Sequence, residues 1–431
     1  MDLLEKVSEI WAGDDSAFLV HSTGSLSFVD IRGQRPVDLS AVRSGDVVAL
    51  IGDFDPQSIH TLLRLFSLSA IVLPLTSSTR SQHEYFFESA LVDVVIEGSH
   101  VYFREETRTH ELLDFLKNEA APGLILFSTG TTGRPKAILH DFRKFLSKFS
   151  TPRPTLRTLN FLLFDHIGGI NTLLHTLFNK GVVIAPETRT VDSILEISKL
   201  FGAEVLPATP TFLRLLLMSG KIPEAFPGSI KLVTYGTELM DESTLQELCR
   251  LLPDVDFRQT FGMSELGIVR VKSEARDSLF MKIGGEGVET RVVDNVLQIK
   301  SASRMLGYLN AASPFDDEGW YDSKDVVDVK GEYIRVTGRV TDVINVGGLK
   351  FMASEVEREV LKYKNISLVK ATGRNNPVTG QHVEIVVQPK EGLTIDPSDL
   401  LVFLREHLPP HMIPAKIRIE EVSIGHRFKK R

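Results

Sequence analysis

The chain has 431 residues, 42% of them apolar and 24% charged, which is enough for two or three domains with ample cores. A formal net charge of −7 supplies no overall field that would recruit nucleic acid or an acidic membrane. The single cysteine, Cys249, excludes an intrachain disulfide and a cysteine metal cluster, so the cytoplasm is the expected compartment.

The first residues, Met1 to Lys6, lack a basic stretch followed by an apolar one, so no signal peptide is expected. No run approaches the roughly 18 apolar residues that span a bilayer. Residues 47–51 read as a buried strand, 58–68 as a helix by their spacing, and 70–75 as a second strand. Residues 123–126 form another apolar strand. The alternation recurs through 173–178, 182–185, 194–201, 205–206, 212–217 and 231–235. Strands and helices in alternation predict an α/β fold of parallel sheets covered by helices. Ligands on such sheets sit beyond the C-terminal strand ends.

After Gly267 the pattern changes. Residues 288–293 and 296–299 alternate apolar and polar side chains, which predicts a small, partly exposed β-sheet or barrel. A final α+β unit follows, with helices at 354–361 and 400–408 and strands at 366–372 and 382–388. Ser354 reads as an N-cap, with Glu357 completing a capping box. The domain boundary is expected within 338–342, giving domains 1–340 and 341–431.

Three segments carry chemistry. The first is Phe127-Ser128-Thr129-Gly130-Thr131-Thr132-Gly133-Arg134-Pro135-Lys136-Ala137, directly after a strand. Glycines let several N–H groups point at one anion, hydroxyls add donors, and Lys136 adds a point charge suited to phosphate. This is not the common nucleotide loop, because Arg134-Pro135 separates Gly133 from Lys136 and no hydroxyl follows. The second is Thr260-Phe261-Gly262-Met263-Ser264-Glu265, where an aromatic could stack a base and a carboxylate could hold Mg²⁺, which prefers oxygen. The third is Gly319-Trp320-Tyr321-Asp322-Ser323-Lys324-Asp325. Asp325 suits a ribose, since a carboxylate can accept from two hydroxyls.

Together with later segments, these resemble the adenylate-forming enzymes: acyl-CoA synthetases, aryl and amino-acid adenylating domains, and luciferases. The resemblance runs from about Ser44 to the end of the chain, with the stretch before Phe127 short for the family. It implies that the 127–137 loop holds the ATP phosphates, although Ala137 stands where glycine is usual. It implies that Phe261 packs on adenine, Ser264 contacts the α-phosphate and Glu265 holds Mg²⁺, with Met263 beside the acid. Tyr235-Gly236-Thr237-Glu238 resembles the segment joining the acid pocket to adenine. Asp325 is the ribose ligand, though Ser323-Lys324 replaces the usual Thr-Gly. Thr337 to Gly348 supplies Arg339 for the ribose, Thr341 at the inter-domain hinge (usually Asp or Lys), and Gly347-Gly348 along the thiol tunnel, where close backbone approach would call for glycine.

Phe164-Asp165-His166-Ile167-Gly168-Gly169 resembles the acid-pocket segment. His166 is either a pocket gate or a satisfied core histidine, and Asp165 could pair with a substrate ammonium. At the C-terminus, counting from Val422 makes Lys429 the family's catalytic lysine, with Phe428 where glycine is usual; Lys430 is one residue off, and a basic solvated tail is the plain alternative. The resemblance therefore implies ATP-dependent activation of a small carboxylic acid and transfer to a thiol. The acceptor is CoA or the phosphopantetheine of an acyl carrier protein, delivered as a small C-terminal domain swings. A non-catalytic adenylate-binding protein is the reading from another class.

Overall fold

The computed structural model describes residues 2–21, 24–105, 108–128 and 134–424. It is a mixed α/β fold of four sheets. In the first, strands lie in the order Gly307–Tyr308, Ala137–Asp141, Gly123–Phe127, Ile71–Leu75, Val47–Ile51, Val94–Glu97, His100–Phe103. Its four middle strands, from Gly123–Phe127 to Val94–Glu97, are parallel, and three of them are buried at every residue. Unbroken apolar runs are what a strand covered on both faces requires. The second sheet has the order Asp256–Gln259, Leu232–Tyr235, Val205–Ala208, Arg157–Leu159, Val182–Ile184, Ala17–His21, Gly24–Ser27; all but the last pair are parallel neighbours.

The two sheets share a core through their helices. Helix Pro56–Ser67 starts at Asp55, whose carboxylate accepts from the Ser58 N–H, with Pro56 at the first helical position. It buries Ile59, Leu62, Leu63 and Phe66 in one cluster with Leu173, Leu174 and Leu177 of helix Ile167–Phe178 and with Phe18, Val48 and Val183 of the two sheets. Helix Leu3–Ile10 joins the same cluster, and Trp11 beyond it donates from Nε1 to the Leu177 carbonyl at 2.8 Å. Among the described residues no helix is long and apolar enough to cross a membrane.

The third sheet is an open antiparallel run: Phe261–Met263, Gly267–Ser273, Met281–Gly284, Tyr333–Arg339, Tyr321–Lys330, Val296–Ser301, Val288–Val293. Of sheet and barrel, the chain forms the sheet. Asp294 and Asn295 turn its outer hairpin with φ of +50° and +61°, the left-handed pair that a two-residue hairpin needs. The fourth sheet has the order Leu349–Met352, Val343–Val346, Gly380–Pro389, Ile366–Asn376, with Lys416–Ile419 parallel to Gly380–Pro389. Helices Ala353–Val360 and Pro397–His407 cover it around a core of its own, including Ile344, Val356, Ile385 and Leu400.

The expected Ser354–Glu357 capping box is not formed. Strand Leu349–Met352 runs straight into the helix, so Met352 is the cap and Glu355 accepts from its N–H at 2.8 Å. Ser354 lies in the first turn and donates to the Thr337 carbonyl at 2.6 Å, while Glu357 accepts from the Ala371 N–H at 3.0 Å.

A single 3₁₀ turn, Val340–Asp342, connects the third sheet to the fourth. Arg214, on helix Pro210–Met218, ties the two parts together. Its Nε donates to the Ser367 carbonyl on strand Ile366–Asn376, and its Nη1 reaches Thr244 Oγ1 at 2.6 Å and Asp241 at 3.3 Å. A cleft of about 780 Å³ lies between them, with Arg214, Glu238, Asp241, Thr341 and Lys370 in its lining.

Candidate active site

Strand Gly123–Phe127 leaves the first sheet at its C-terminal end and returns as Ala137–Asp141, with Phe127 opposite Ala137. The base of the connecting loop is pinned twice: the Ser128 N–H donates to the Lys136 carbonyl at 3.0 Å, and the Lys136 N–H donates to Ser128 Oγ at 3.0 Å. Thr129, Gly130, Thr131, Thr132 and Gly133 lie outside the described residues. On the exit side the Ala137 N–H donates to Asn310 Oδ1 at 2.9 Å, while Asn310 Nδ2 and the Tyr85 hydroxyl both donate to the Pro135 carbonyl. The Ala137 methyl is fully buried in the core, so the pocket it fills accounts for a side chain at a position where glycine was expected.

Lys136 and Glu265 meet through Tyr308. The Lys136 ammonium lies 4.7 Å from the Tyr308 ring centre, and the Tyr308 hydroxyl donates to Glu265 Oε1 at 2.8 Å. Glu265 is buried near the tip of the hairpin that joins Phe261–Met263 to Gly267–Ser273. Burial, and then the Glu265 carboxylate, push the Tyr308 phenol far above its ordinary pKa, so it remains a donor. His140 supports the preceding residue: its Nε2 is 2.6 Å from the Ser264 carbonyl. A carbonyl only accepts, so Nε2 carries the proton. Burial lowers His140 to about 4, partly opposed by that hydrogen bond, which leaves the ring neutral.

Tyr235 ends its strand fully buried, and the Thr260 N–H donates to its carbonyl at 2.7 Å. A Cβ on Gly236 would stand 2.4 Å from Thr260 Oγ1, so glycine is what lets the 235–237 turn lie against Thr260. Thr237 holds φ at +71°.

Asp325 and Arg339 face each other across two antiparallel strands, and Arg339 Nε donates to Asp325 Oδ1 at 2.9 Å. Burial raises the Asp325 pKa and Arg339 opposes the shift. Ser323 Oγ accepts from the Asp325 N–H at 3.0 Å and donates to the Leu297 carbonyl at 2.7 Å, so a hydroxyl at 323 shapes the turn. Lys324 has φ of +61°, the left-handed region that favours glycine. Its side chain turns out to Asp322. The partly buried Tyr321 phenol has Glu265, Arg339, Tyr308 and Asp325 as its electrostatic neighbours, so it lies between the Lys136–Tyr308–Glu265 group and the Asp325–Arg339 pair.

On the acid side, His166 is buried and caps helix Ile167–Phe178, its Nδ1 accepting from the Gly168 N–H at 3.0 Å. Asp165, also buried, shares Arg189 with Asp53; Arg189 Nη2 is 3.7 Å from Asp53, and Asp165 acts on the same guanidinium. A protein cation thus already faces Asp165. Gly347 and Gly348, with φ of +61° and +89°, form the turn between Val343–Val346 and Leu349–Met352, and nothing lies within 4 Å of a Cβ on either. Turn geometry by itself calls for glycine at both positions. Thr341 is exposed, its hydroxyl 3.2 Å from Asp342. Lys429 and Lys430 lie outside the described residues.

Tyr308, Tyr321, His140, Asn310 and Tyr85 were not singled out in the sequence as site residues. Only Tyr321 carried a signal, as a neighbour of Asp325 within one motif. For Mg²⁺, the described residues hold no group of three or more His, Cys, Asp or Glu. A lone buried carboxylate such as Glu265, with one oxygen taken by Tyr308, fits an ion that arrives with phosphate oxygens.

A profile of the AMP-binding enzyme family matches residues 39–309. The 3-[(3aS,4S,7aS)-7a-methyl-1,5-dioxo-octahydro-1H-inden-4-yl]propanoyl:CoA ligase of Rhodococcus jostii (strain RHA1) is 22% identical over 312 residues, 68% of this chain but only 60% of that protein. The 2-succinylbenzoate–CoA ligase of Listeria monocytogenes serovar 1/2a is 24% identical over 418 residues, 88% of this chain and 86% of that one. Among solved structures, ATP-bound MatB from Rhodopseudomonas palustris shares the fold with a TM-score of 0.80 at 20% identity, over 99% of this chain and 96% of that chain.

Proposed function

The chain belongs to the AMP-binding enzymes, and on that premise we propose that it is an ATP-dependent ligase joining a small carboxylic acid to the thiol of CoA. The observation that carries this reading is the continuous patch Lys136–Tyr308–Glu265–Tyr321–Asp325–Arg339, in which a phosphate-type lysine, a lone carboxylate and a ribose-type carboxylate are linked. In the first step a carboxylate oxygen attacks the α-phosphorus of ATP, pyrophosphate leaves, and an acyl-adenylate remains. In the second the thiol sulfur attacks the acyl carbonyl, AMP departs with its oxygen, and the thiol proton is released. Such chemistry is mostly positioning and charge neutralisation. Lys136 and the hydroxyl loop hold the β- and γ-phosphates, Ser264 the α-phosphate, Phe261 the adenine, and Asp325 with Arg339 the ribose. Glu265 would hold a Mg²⁺ ion arriving with the nucleotide, and such an ion would neutralise charge on the phosphates. Lys429 bridges the carboxylate and the phosphates.

Pyrophosphate exchange across a panel of acids, amino acids included, tests the first step; thioester formation with free CoA against a phosphopantetheinylated carrier tests the acceptor. Tight ATP binding without exchange on any acid would make the chain a non-catalytic adenylate binder. Lys429→Ala should nearly abolish exchange yet spare thioester formation from a supplied acyl-adenylate. An active Lys429→Ala beside an inactive Lys430→Ala would move the role by one residue.

A further inference from the structure

Residues 305–310 follow strand Val296–Ser301 of the third sheet and run along the edge of the first. The Met305 N–H donates to the Glu265 carbonyl at 2.8 Å, the Leu306 N–H to the Leu139 carbonyl at 2.7 Å, and the Leu309 N–H to the Ala137 carbonyl at 2.9 Å. Between these bonds Tyr308 pairs with Ile138, two residues past Lys136. Tyr308 is only 5% exposed and packs with Ile138 and Met305. The backbone thus fixes one phenol between the hairpin of Glu265 and the exit of the 127–137 loop.

A phenol buried this far needs a partner for its hydroxyl. The Glu265 carboxylate supplies one, accepting at 2.8 Å through Oε1 and restricting its own rotation. Phenylalanine would fill the same space, so what the hydroxyl adds is control of that carboxylate. The face of the same ring carries the Lys136 ammonium, 4.7 Å from its centre. Ring faces attract an ammonium without accepting ordinary hydrogen bonds, so the three N–H donors of Lys136 are kept for another acceptor. Among the described residues neither Lys136 nor Glu265 enters an ion pair. The ring separates two opposite charges that direct contact would cancel.

We propose that Tyr308 is a positioning residue with two separable tasks: its hydroxyl aims the Glu265 carboxylate at a divalent cation, and its ring holds the Lys136 ammonium ready for phosphate and apart from that carboxylate. This rests on the adenylation reading, in which Lys136 meets the phosphates and Glu265 the ion. Tyr308 acts through these two side chains and needs no contact with the nucleotide. The tasks use different parts of one side chain, so substitution can remove the first and keep the second. Tyr308→Phe deletes the hydroxyl and keeps the ring. Tyr308→Leu deletes both and lets Lys136 and Glu265 pair.

The experiment is calorimetric titration of the full chain with ATP, once in excess EDTA and once in saturating Mg²⁺. It gives the metal-free Kd and the factor by which Mg²⁺ tightens binding. Tyr308→Phe should leave the metal-free Kd nearly unchanged and reduce the Mg²⁺ factor roughly fivefold, because only a charge-assisted hydrogen bond is lost. Tyr308→Leu should also raise the metal-free Kd, by roughly threefold, as the ring contact goes. In a Lys136→Met background Tyr308→Leu should add nothing to that metal-free loss, whereas general damage to the fold would add in full. A Mg²⁺ factor that Tyr308→Phe does not move overturns the proposal, whether or not Tyr308→Leu folds. So does a wild type whose affinity Mg²⁺ leaves unchanged, or additive losses in the Lys136→Met background. No ATP binding by the wild type in either condition overturns the adenylation reading, and this proposal with it.

Discussion

Glu265 gives one carboxylate oxygen to Tyr308, and its charge is what distinguishes it from an amide of the same shape. Glu265→Gln should keep the packing and the Tyr308 hydrogen bond while weakening the Mg²⁺ site. The Mg²⁺ concentration needed for half-maximal exchange should rise roughly tenfold, about 1.4 kcal/mol, with part of the rate recovered at high Mg²⁺. An unchanged Mg²⁺ titration would remove Glu265 from the site. His140 makes a second prediction, about pH. The native ring titrates near 4, against an ordinary value of 6.5 for the unfolded chain. Below pH 6.5 the unfolded state binds a proton that the native state refuses, so this stability is present above 6.5 and is lost as pH falls towards 4. The loss from this group should be about 2 kcal/mol between pH 7 and 5, and His140→Gln should flatten that part of the urea-stability curve; parallel curves would contradict the burial argument. The charged members of the candidate site, Lys136, Glu265, Asp325 and Arg339, could be picked out in the sequence because they sit in dense local motifs. Tyr308 and His140 could not: the pairing of Gly307–Tyr308 with Ala137–Asp141 brings Tyr308 beside Lys136, and His140 acts on Ser264, which is far away in the sequence.

Elements built from unbroken apolar runs, such as Val47–Ile51 and Gly123–Phe127, could be read directly, since burial on both faces leaves no place for a polar residue. The helix start near 354 could not. A Ser-x-x-Glu pattern is a sound local signal, but the incoming hairpin strand fixes where the chain begins to coil, and it does so two residues earlier than the pattern suggests. Glu355→Ala should therefore cost the C-terminal unit about 1 kcal/mol, the usual worth of a cap, read as a fall in its unfolding midpoint. If Ser354 were the cap, Glu355 would have no backbone N–H to serve and its removal would change little. Gly347 and Gly348 both hold left-handed φ, a local requirement for glycine that stands beside the tunnel role the family resemblance implied for them.

At the scale of the whole molecule, the parallel sheets, the antiparallel sheet and the C-terminal unit followed from changes in periodicity along the chain. Their relative arrangement did not, because it depends on a few contacts such as Arg214 to the Ser367 carbonyl, which no local pattern announces. The connection between the two parts is short. Val340–Asp342 is one exposed turn, and Thr341 and Asp342 line the cleft beside it. A swing of that unit needs large φ/ψ changes at a few residues, and Thr341 sits in the middle of the turn, two residues after Arg339. Thr341→Pro would fix φ near −65° and restrict Val340 as well. The chain should then be held in the adenylating arrangement. Pyrophosphate exchange should survive within roughly tenfold, about 1.4 kcal/mol of barrier, while thioester output falls much further. Measuring both on one preparation separates the possibilities. Equal losses would mean general damage to the connection, and no loss of either would mean that the molecule pivots elsewhere or not at all.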